Sequence, residues 1–312
     1  MQNKVVFIVG PTAVGKTDLA LDIAHEFNGE LISSDSVQVF KGLDIVSGKD
    51  LPPEYTHYAG YYHSHSGPSI HLLDVVNPTD PFSVEEFIKL ARISMQTIFE
   101  MKRVPVVVGG SGLYVKALID GLSVRVEPDE KLRKELSGMD TIQLQNMLRN
   151  MNKKQLDDMN ESDKANPRRL IRKIELNNAK NSSPLTEISH AYNYYMVGLK
   201  CDREHLKKKI DKRVENRLEH GAINEVRKLF ASYAGLAQQV KDANGYKQLF
   251  SYLNGEIDYE EAIYRWKLSE YRHAKNQMTW FQKYGNVEWF DINDNDYRAK
   301  IVQNVNNFLK EE

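Results

Sequence analysis

Val5-Val6-Phe7-Ile8-Val9-Gly10-Pro11-Thr12-Ala13-Val14-Gly15-Lys16-Thr17 is the stretch from which the fold can be read. Its first half is an unbroken run of β-branched and aromatic residues, the pattern of a strand buried on both faces. Its second half, Gly10 to Thr17, matches G-x-x-x-x-G-K-[ST], a phosphate-binding loop. Asp18 to Phe27 then places apolar residues at Leu19, Leu21, Ile23, Ala24 and Phe27, which suits a helix packed on a sheet. Strand, loop and helix are the context this chemistry requires. Backbone N–H groups of the loop converge on an anion, helped by the positive end of the following helix. Lys16 adds a point charge, and the Thr17 hydroxyl is a ligand for Mg²⁺.

Working outward, Leu31-Ile32-Ser33, His71 to Val76 and Val104 to Val108 read as further buried strands, and Val84 to Met101 as another amphipathic helix. The alternation predicts an α/β fold, a doubly wound parallel sheet. Ligands bind such sheets at the C-terminal ends of the strands. Two polar clusters fall there. Ser33-Ser34-Asp35-Ser36-Val37-Gln38 follows the second strand, so Asp35 should lie beside the phosphate loop. A carboxylate there serves as a base, as a helix cap, or as an acid behind a magnesium ion. Gln38 offers the donor and acceptor needed to read an adenine edge. Gly109-Gly110-Ser111-Gly112 follows the fourth strand and offers close backbone approach and the Ser111 hydroxyl. Asp74 ends another apolar run and is available as a Walker-type acid.

The pattern changes near Ser123. Asp129 to Asn181 holds no strand pattern, is rich in Leu, Met, Asn, Lys and Asp, and breaks at Asn166-Pro167. The reading is a P-loop core of residues 1–122 and 194–312, interrupted by a helical insert at 123–193. After it come a short apolar piece at Val197, a charged helix from Arg203 to His220 ended by Gly221, more helices to Tyr284, and a last strand at Val287–Phe290. The aromatic, histidine-rich 55–65 stretch reads as a loop. Its His63-Ser64-His65 lacks the cysteine or the helical spacing of a metal site.

The 42 Lys+Arg balance 43 Asp+Glu, which excludes a histone-like excess of positive charge but not a local basic face. Lys164 to Lys173 is such a face, with five basic residues and no acid. The single Cys201 excludes an internal disulfide and fits a reducing compartment. There is no signal-peptide pattern, and no apolar run approaches the roughly 18 residues of a membrane span. A cytoplasmic protein without a membrane partner is expected.

These motifs, in this order, resemble the tRNA dimethylallyltransferase (isopentenyltransferase) family over nearly the whole chain. Its Gly-Pro-Thr-Ala-x-Gly-Lys-Thr stands at Gly10 to Thr17 and its Asp-Ser-x-Gln at Asp35 to Gln38. Its His-Leu-Leu-Asp stands at His71 to Asp74 and its Asn-Pro-Arg-Arg-Leu-x-Arg at Asn166 to Arg172. Gly245 to Gln248 and Ala274 to Phe281 are similar to its late segments. Ser111 stands where the family usually has threonine, and Lys209, Tyr271 and Asn276 where it often has arginine.

The resemblance implies transfer of a dimethylallyl group from dimethylallyl diphosphate to the exocyclic amine of the adenosine just 3′ of the anticodon in tRNA. It implies Asp35 as general base, the phosphate loop as the grip on the diphosphate, and Arg213 as a further diphosphate contact. Lys16, Thr17 with Mg²⁺, and Ser111 complete the catalytic set. Asp35, Ser36, Val37, Gln38, Ser111, Arg133, Arg168, Arg169 and Arg172 match places where the family touches the anticodon stem-loop. A monomer is expected. The competing readings are an adenine-nucleotide prenyltransferase of the cytokinin type, a P-loop kinase and a non-enzymatic RNA-binding protein. The insert with its arginines disfavours the first, because a mononucleotide needs no such arm. The missing arginine lid disfavours the second, and the intact Lys16, Thr17, Asp35 and Arg213 the third.

Overall fold

The computed structural model describes residues 3–51, 54–58, 60–65, 67–121, 129–179 and 192–311. The chain divides into two compact units, Met1–Asp120 with His190–Glu312, and Gly121–Ser189.

The first unit opens with β1 (Asn3–Val9), α1 (Lys16–Glu26), β2 (Gly29–Ser33), β3 (Thr56–Tyr58), β4 (Tyr61–His63), β5 (Ile70–His71), α2 (Val84–Glu100), β6 (Val104–Val108) and α3 (Gly112–Asp120). The second unit holds α4 (Glu130–Leu136), α5 (Thr141–Asp157), α6 (Glu161–Lys164) and α7 (Pro167–Asn178). The chain then returns to the first unit with β7 (Tyr192–Lys200), α8 (Arg203–Glu219), α9 (Ala222–Ser232), α10 (Gln238–Asp242), α11 (Tyr246–Leu253), α12 (Tyr259–Tyr284), β8 (Glu288–Asp291) and α13 (Tyr297–Lys310).

Among the described residues one sheet runs in the order β3-β4-β5-β2-β6-β1-β7-β8. β1 pairs in parallel with both β6 and β7, which explains its apolar run: Val5 to Val9 are all fully buried. Helix α1 packs Leu19, Ala20, Ile23 and Ala24 against the sheet. Helix α2 begins at a reciprocal cap, in which the Ser83 hydroxyl accepts from the Glu86 amide and the Glu86 carboxylate from the Ser83 amide.

Two expectations change. The predicted 55–65 loop contains the antiparallel pair β3 and β4, the first strands of the sheet. The pairing sets Tyr58 opposite Tyr61 and His57 opposite Tyr62, with ring centroids 5.6 and 4.7 Å apart. Such cross-strand ring pairs stabilise a hairpin that lacks an aliphatic alternation. The predicted strand His71 to Val76 joins β5 only through His71, and Val76 makes an isolated parallel bridge to Phe40. Leu72 and Asp74 take φ of 65° and 54°, left-handed values that no strand contains. The turn aims Asp74 inward, where its carboxylate binds Lys49 Nζ and the Tyr62 hydroxyl.

In the second unit, residues 129–179 hold only helices among those described, and their core is Leu136, Leu144, Leu148, Leu156, Met159, Leu170 and Ile174. Asp129, Asp140, Asn160 and Asn166 each cap the helix that follows by accepting from a backbone N–H. Glu175 is buried, and both its oxygens are used: Arg133 Nε and Nη2 donate to it at 2.6 and 3.0 Å, and Arg172 Nη1 at 3.1 Å. Burial raises this carboxyl, but the Arg133 and Arg172 guanidiniums outweigh that and hold it below its ordinary range.

Candidate active site

The ends of β1, β6 and β2 lie side by side and are stitched by backbone bonds. The Gly109 amide donates to Ile8 O at 3.2 Å and the Ser34 amide to Val108 O at 2.8 Å. Gly10 and Asp35 therefore leave the sheet at one edge, with Gly109-Gly110 between them. Gly10 must be glycine for two reasons. Its φ is 138°, and a Cβ there would lie 2.4 Å from Leu199 O on β7.

The loop then folds over itself. Lys16 Nζ donates to Pro11 O at 2.7 Å. Burial of the ammonium, followed by the charge of Arg213, lowers its pKa to about 7, and Asp35 partly opposes this. Arg213 Nη1 on α8 donates to the Thr12 hydroxyl at 2.6 Å, so this distant arginine is part of the loop's cradle. Thr17 is exposed at the first turn of α1. Magnesium takes oxygen ligands and keeps several waters, which suits one alcohol oxygen beside phosphate oxygens. Among the described residues no group of three His, Cys, Asp or Glu side chains would hold a metal.

Across the crevice, Asp35 shapes its own turn. Its Oδ1 accepts the Val37 and Gln38 amides at 2.8 and 3.2 Å, and among the described residues no hydrogen bond reaches Oδ2. The Ser36 amide donates to Ser111 Oγ at 3.3 Å, and the two hydroxyls are 3.4 Å apart. The glycine loop thus braces the Asp35 turn. Gln38 points into the fold: Nε2 donates to Gly48 O at 2.9 Å, and Oε1 accepts from Ser33 Oγ at 3.2 Å. Val37 is half-buried and Ser36 exposed. Asp74 lies on the β5 side of β2, where among the described residues its partners are Lys49 and Tyr62 and not the phosphate loop. Burial pushes the Cys201 thiol up to about 11, which leaves it protonated and unreactive at neutral pH.

One residue of this site was given no role by the motifs. Gln277 on α12 accepts from the Thr12 amide at 2.8 Å and donates from Nε2 to Gly110 O at 3.1 Å. It ties the phosphate loop to the glycine loop. Helix α12 buries Ala262, Trp266, Glu270, Ala274, Gln277 and Phe281. An amide within that largely apolar stripe is the signal in the sequence. Gly110 leaves it room, because a Cβ there would fall 2.0 Å from Gln277 Nε2. Gln277→Leu removes both bonds and is expected to slow turnover by up to about 10²-fold through misplacement of the two loops. Single-turnover rates check this, and an unchanged rate contradicts it.

Lys16 also carries a pH signature. Free Lys16 loses its proton as pH rises through about 7. A bound diphosphate favours the charged ammonium, so binding above pH 7 takes up a proton and affinity falls as pH rises. Calorimetry at about pH 8 in two buffers of different ionisation enthalpy is expected to show uptake approaching one proton per diphosphate. No uptake would mean that the bound and free ammonium hold their proton equally.

Of the arginines in the second unit, Arg168 and Arg169 are exposed on the first turn of α7. Arg169 pairs with Asp163. Arg133 and Arg172 share Glu175 and keep 38% of each side chain exposed.

A buried strand, a loop with the phosphate-binding motif and a helix behind it, in a largely parallel sheet, define a P-loop α/β protein. The IPP transferase family profile matches residues 38–284, and the isopentenyl transferase profile residues 3–65. A tRNA dimethylallyltransferase of Halalkalibacterium halodurans is 36% identical over 99% of this chain and 97% of its own. One of Lactococcus lactis is 36% identical over 98% and 99%. The solved full-length tRNA isopentenylpyrophosphate transferase from Bacillus halodurans aligns with a TM-score of 0.69 at 35% identity, over 99% of this chain and 96% of its own. The chain belongs to the tRNA dimethylallyltransferase family, a family of prenyltransferases.

Proposed function

We propose that the protein transfers the dimethylallyl group of dimethylallyl diphosphate to the exocyclic amine of the adenosine 3′ of the anticodon in tRNA. The observation that carries this reading is the juxtaposition of Asp35, one oxygen without a hydrogen bond among the described residues, with a loop whose cations are Lys16 and Arg213. The adenine amine is a weak nucleophile, because its lone pair is delocalised into the ring. It needs a base to take its proton as the nitrogen–carbon bond forms. Asp35 Oδ2 takes that proton. The allylic carbon–oxygen bond breaks, and the diphosphate leaves with the bonding pair. Loop amides, Lys16 and Arg213 oppose the charge that develops on it. Ser111 keeps the Asp35 turn in place. Thr17 would hold Mg²⁺ together with diphosphate oxygens, and the ion would supply further charge neutralisation there.

The target base has to leave the anticodon-loop stack, which single-stranded loops allow at low cost. In this reading Ser36, Val37 and Gln38 border the base. The helical unit meets the phosphates of the stem-loop through Arg133, Arg168, Arg169 and Arg172. The acting unit is taken to be a monomer, in the cytoplasm where its tRNA substrate would be found. Among the described residues no helix is long and apolar enough to cross a membrane.

Substitution of both exposed arginines, Arg168→Gln with Arg169→Gln, leaves the Glu175 pairs intact. It is expected to make the slope of log affinity for tRNA against log salt shallower by roughly 1 to 2 units, at ~0.7–0.9 per phosphate contact. An unaltered slope returns them to ordinary surface charge. The acceptor itself is tested by offering labelled dimethylallyl diphosphate with tRNA or with AMP. Label is expected in tRNA. Label in AMP alone would favour the nucleotide prenyltransferase instead.

A further inference from the structure

Helix α8 buries a second guanidinium one turn beyond Arg213. Arg217 is 6% exposed, and among the described residues its Nε has no hydrogen-bond partner. Its Nη1 stands 3.7 Å from Glu270 Oε1, an oxygen that also accepts from Trp266 Nε1 at 3.2 Å. Glu270 is thus a loose and shared counter-ion. Four residues apart, Arg213 and Arg217 lie on one face of the helix. Both crowd Gly48, where a Cβ would fall 2.2 Å from Arg217 Nη2 and 2.4 Å from Arg213 Nη2. Burial, and then the neighbouring Arg213, lowers Arg217 to about 10, against the partial support of Glu270 and Asp50.

Arg213 and Arg217 line one cavity of about 520 Å³ together with Asn216, the helix-capping His220, Lys49, Asp44 and Asp50. Asp44 is tied to Lys49 at 2.7 Å. Arg213 is common to this cavity and to the phosphate loop, through its bond to Thr12. The structure therefore holds two like charges side by side next to the diphosphate grip, one of them incompletely hydrogen-bonded. Guanidinium groups pair with phosphate oxygens through parallel N–H bonds. An anion here would offset the repulsion between the arginines.

We propose that Arg213 and Arg217 form a clamp for inorganic pyrophosphate, with Arg217 answering the charge that the leaving group gains when its bond to the allylic carbon breaks. This rests on the functional reading above. The ester diphosphate has one oxygen bonded to carbon. After cleavage that oxygen keeps the electron pair and carries new negative charge. Lys16 and the loop amides already face the ester, and Arg217 is an adjacent cation whose carboxylate partner, Glu270, stands at 3.7 Å and is shared with Trp266. It acts by contact with the departing group and is expected to favour product-like charge over the intact ester.

Calorimetric titration of the full chain with inorganic pyrophosphate, and separately with dimethylallyl diphosphate, tests this. Arg217→Met is expected to weaken pyrophosphate by at least about ten-fold, and more than it weakens the ester. Pyrophosphate binding that is unchanged in a folded Arg217→Met protein overturns the proposal. Should that variant not fold, Glu270→Gln decides. It keeps an acceptor for Trp266 and removes the competing charge, so pyrophosphate should bind more tightly; unchanged or weaker binding would make the Arg217–Glu270 pair structural only. Wild-type prenyl transfer to tRNA is followed alongside. Transfer with pyrophosphate binding indifferent to these substitutions overturns the clamp alone. Loss of both transfer and pyrophosphate binding in the wild type overturns the functional reading with it.

Discussion

Asp35→Asn is expected to lower the rate of prenyl transfer by about 10²- to 10⁴-fold, the usual worth of a positioned general base. The substitution suits the geometry. Oδ1 of Asp35 accepts two backbone N–H bonds that hold the turn, and an asparagine side-chain oxygen accepts the same bonds. The turn, its brace from Ser111 and the nearby phosphate loop are kept, and only the charged, proton-accepting oxygen is lost. Single-turnover transfer at saturating prenyl donor reads the chemical step. Titration with dimethylallyl diphosphate reads the site, and its affinity should change little. A rate within a few-fold of wild type would mean that the amine proton goes elsewhere.

Arg213→Met is expected to cost about 10²- to 10³-fold in kcat, comparable with loss of one donor from an oxyanion hole. Arg213 does two things in the structure: it brings positive charge beside Lys16, which in the proposed reading faces the diphosphate, and it binds the Thr12 hydroxyl. Charge on the leaving oxygen is greater in the transition state than in the bound ester, so the loss should fall on kcat more than on KM. Steady-state kinetics over a range of prenyl donor separates the two. A raised KM with unchanged kcat would make Arg213 a ground-state contact only. Because Lys16 faces the same charge, Lys16→Met combined with Arg213→Met should cost less than the sum of the single losses.

The part of this site that is local in sequence was legible in sequence. Val5 to Thr17 carries strand, loop and helix start within thirteen consecutive residues, and Asp35 and Ser111 follow strands whose ends face one crevice. What was not legible depends on pairings across the chain. Gln277 meets Thr12 over a separation of 265 residues, and no local pattern says which loop an amide on α12 will reach. The sequence does not show that the Gln38 amide donates to the Ser47 and Gly48 carbonyls, which the fold brings against it. Arg133 and Arg172 read as bare positive charge until Glu175 is seen to hold both. In the same way, the run from His71 to Val76 looks extended because its residues are apolar. The left-handed turns at Leu72 and Asp74 accompany the partners of Asp74, Lys49 and Tyr62, which come from elsewhere in the chain.

The most direct test of the central claim is a nucleoside digest of tRNA after incubation with the wild-type protein, dimethylallyl diphosphate and magnesium, with released pyrophosphate counted in the same samples. A dimethylallyl group is expected on the exocyclic amine of the adenosine 3′ of the anticodon, formed one-to-one with pyrophosphate and absent with Asp35→Asn. Pyrophosphate released without modified adenosine, or modification that survives Asp35→Asn undiminished, would contradict the central claim.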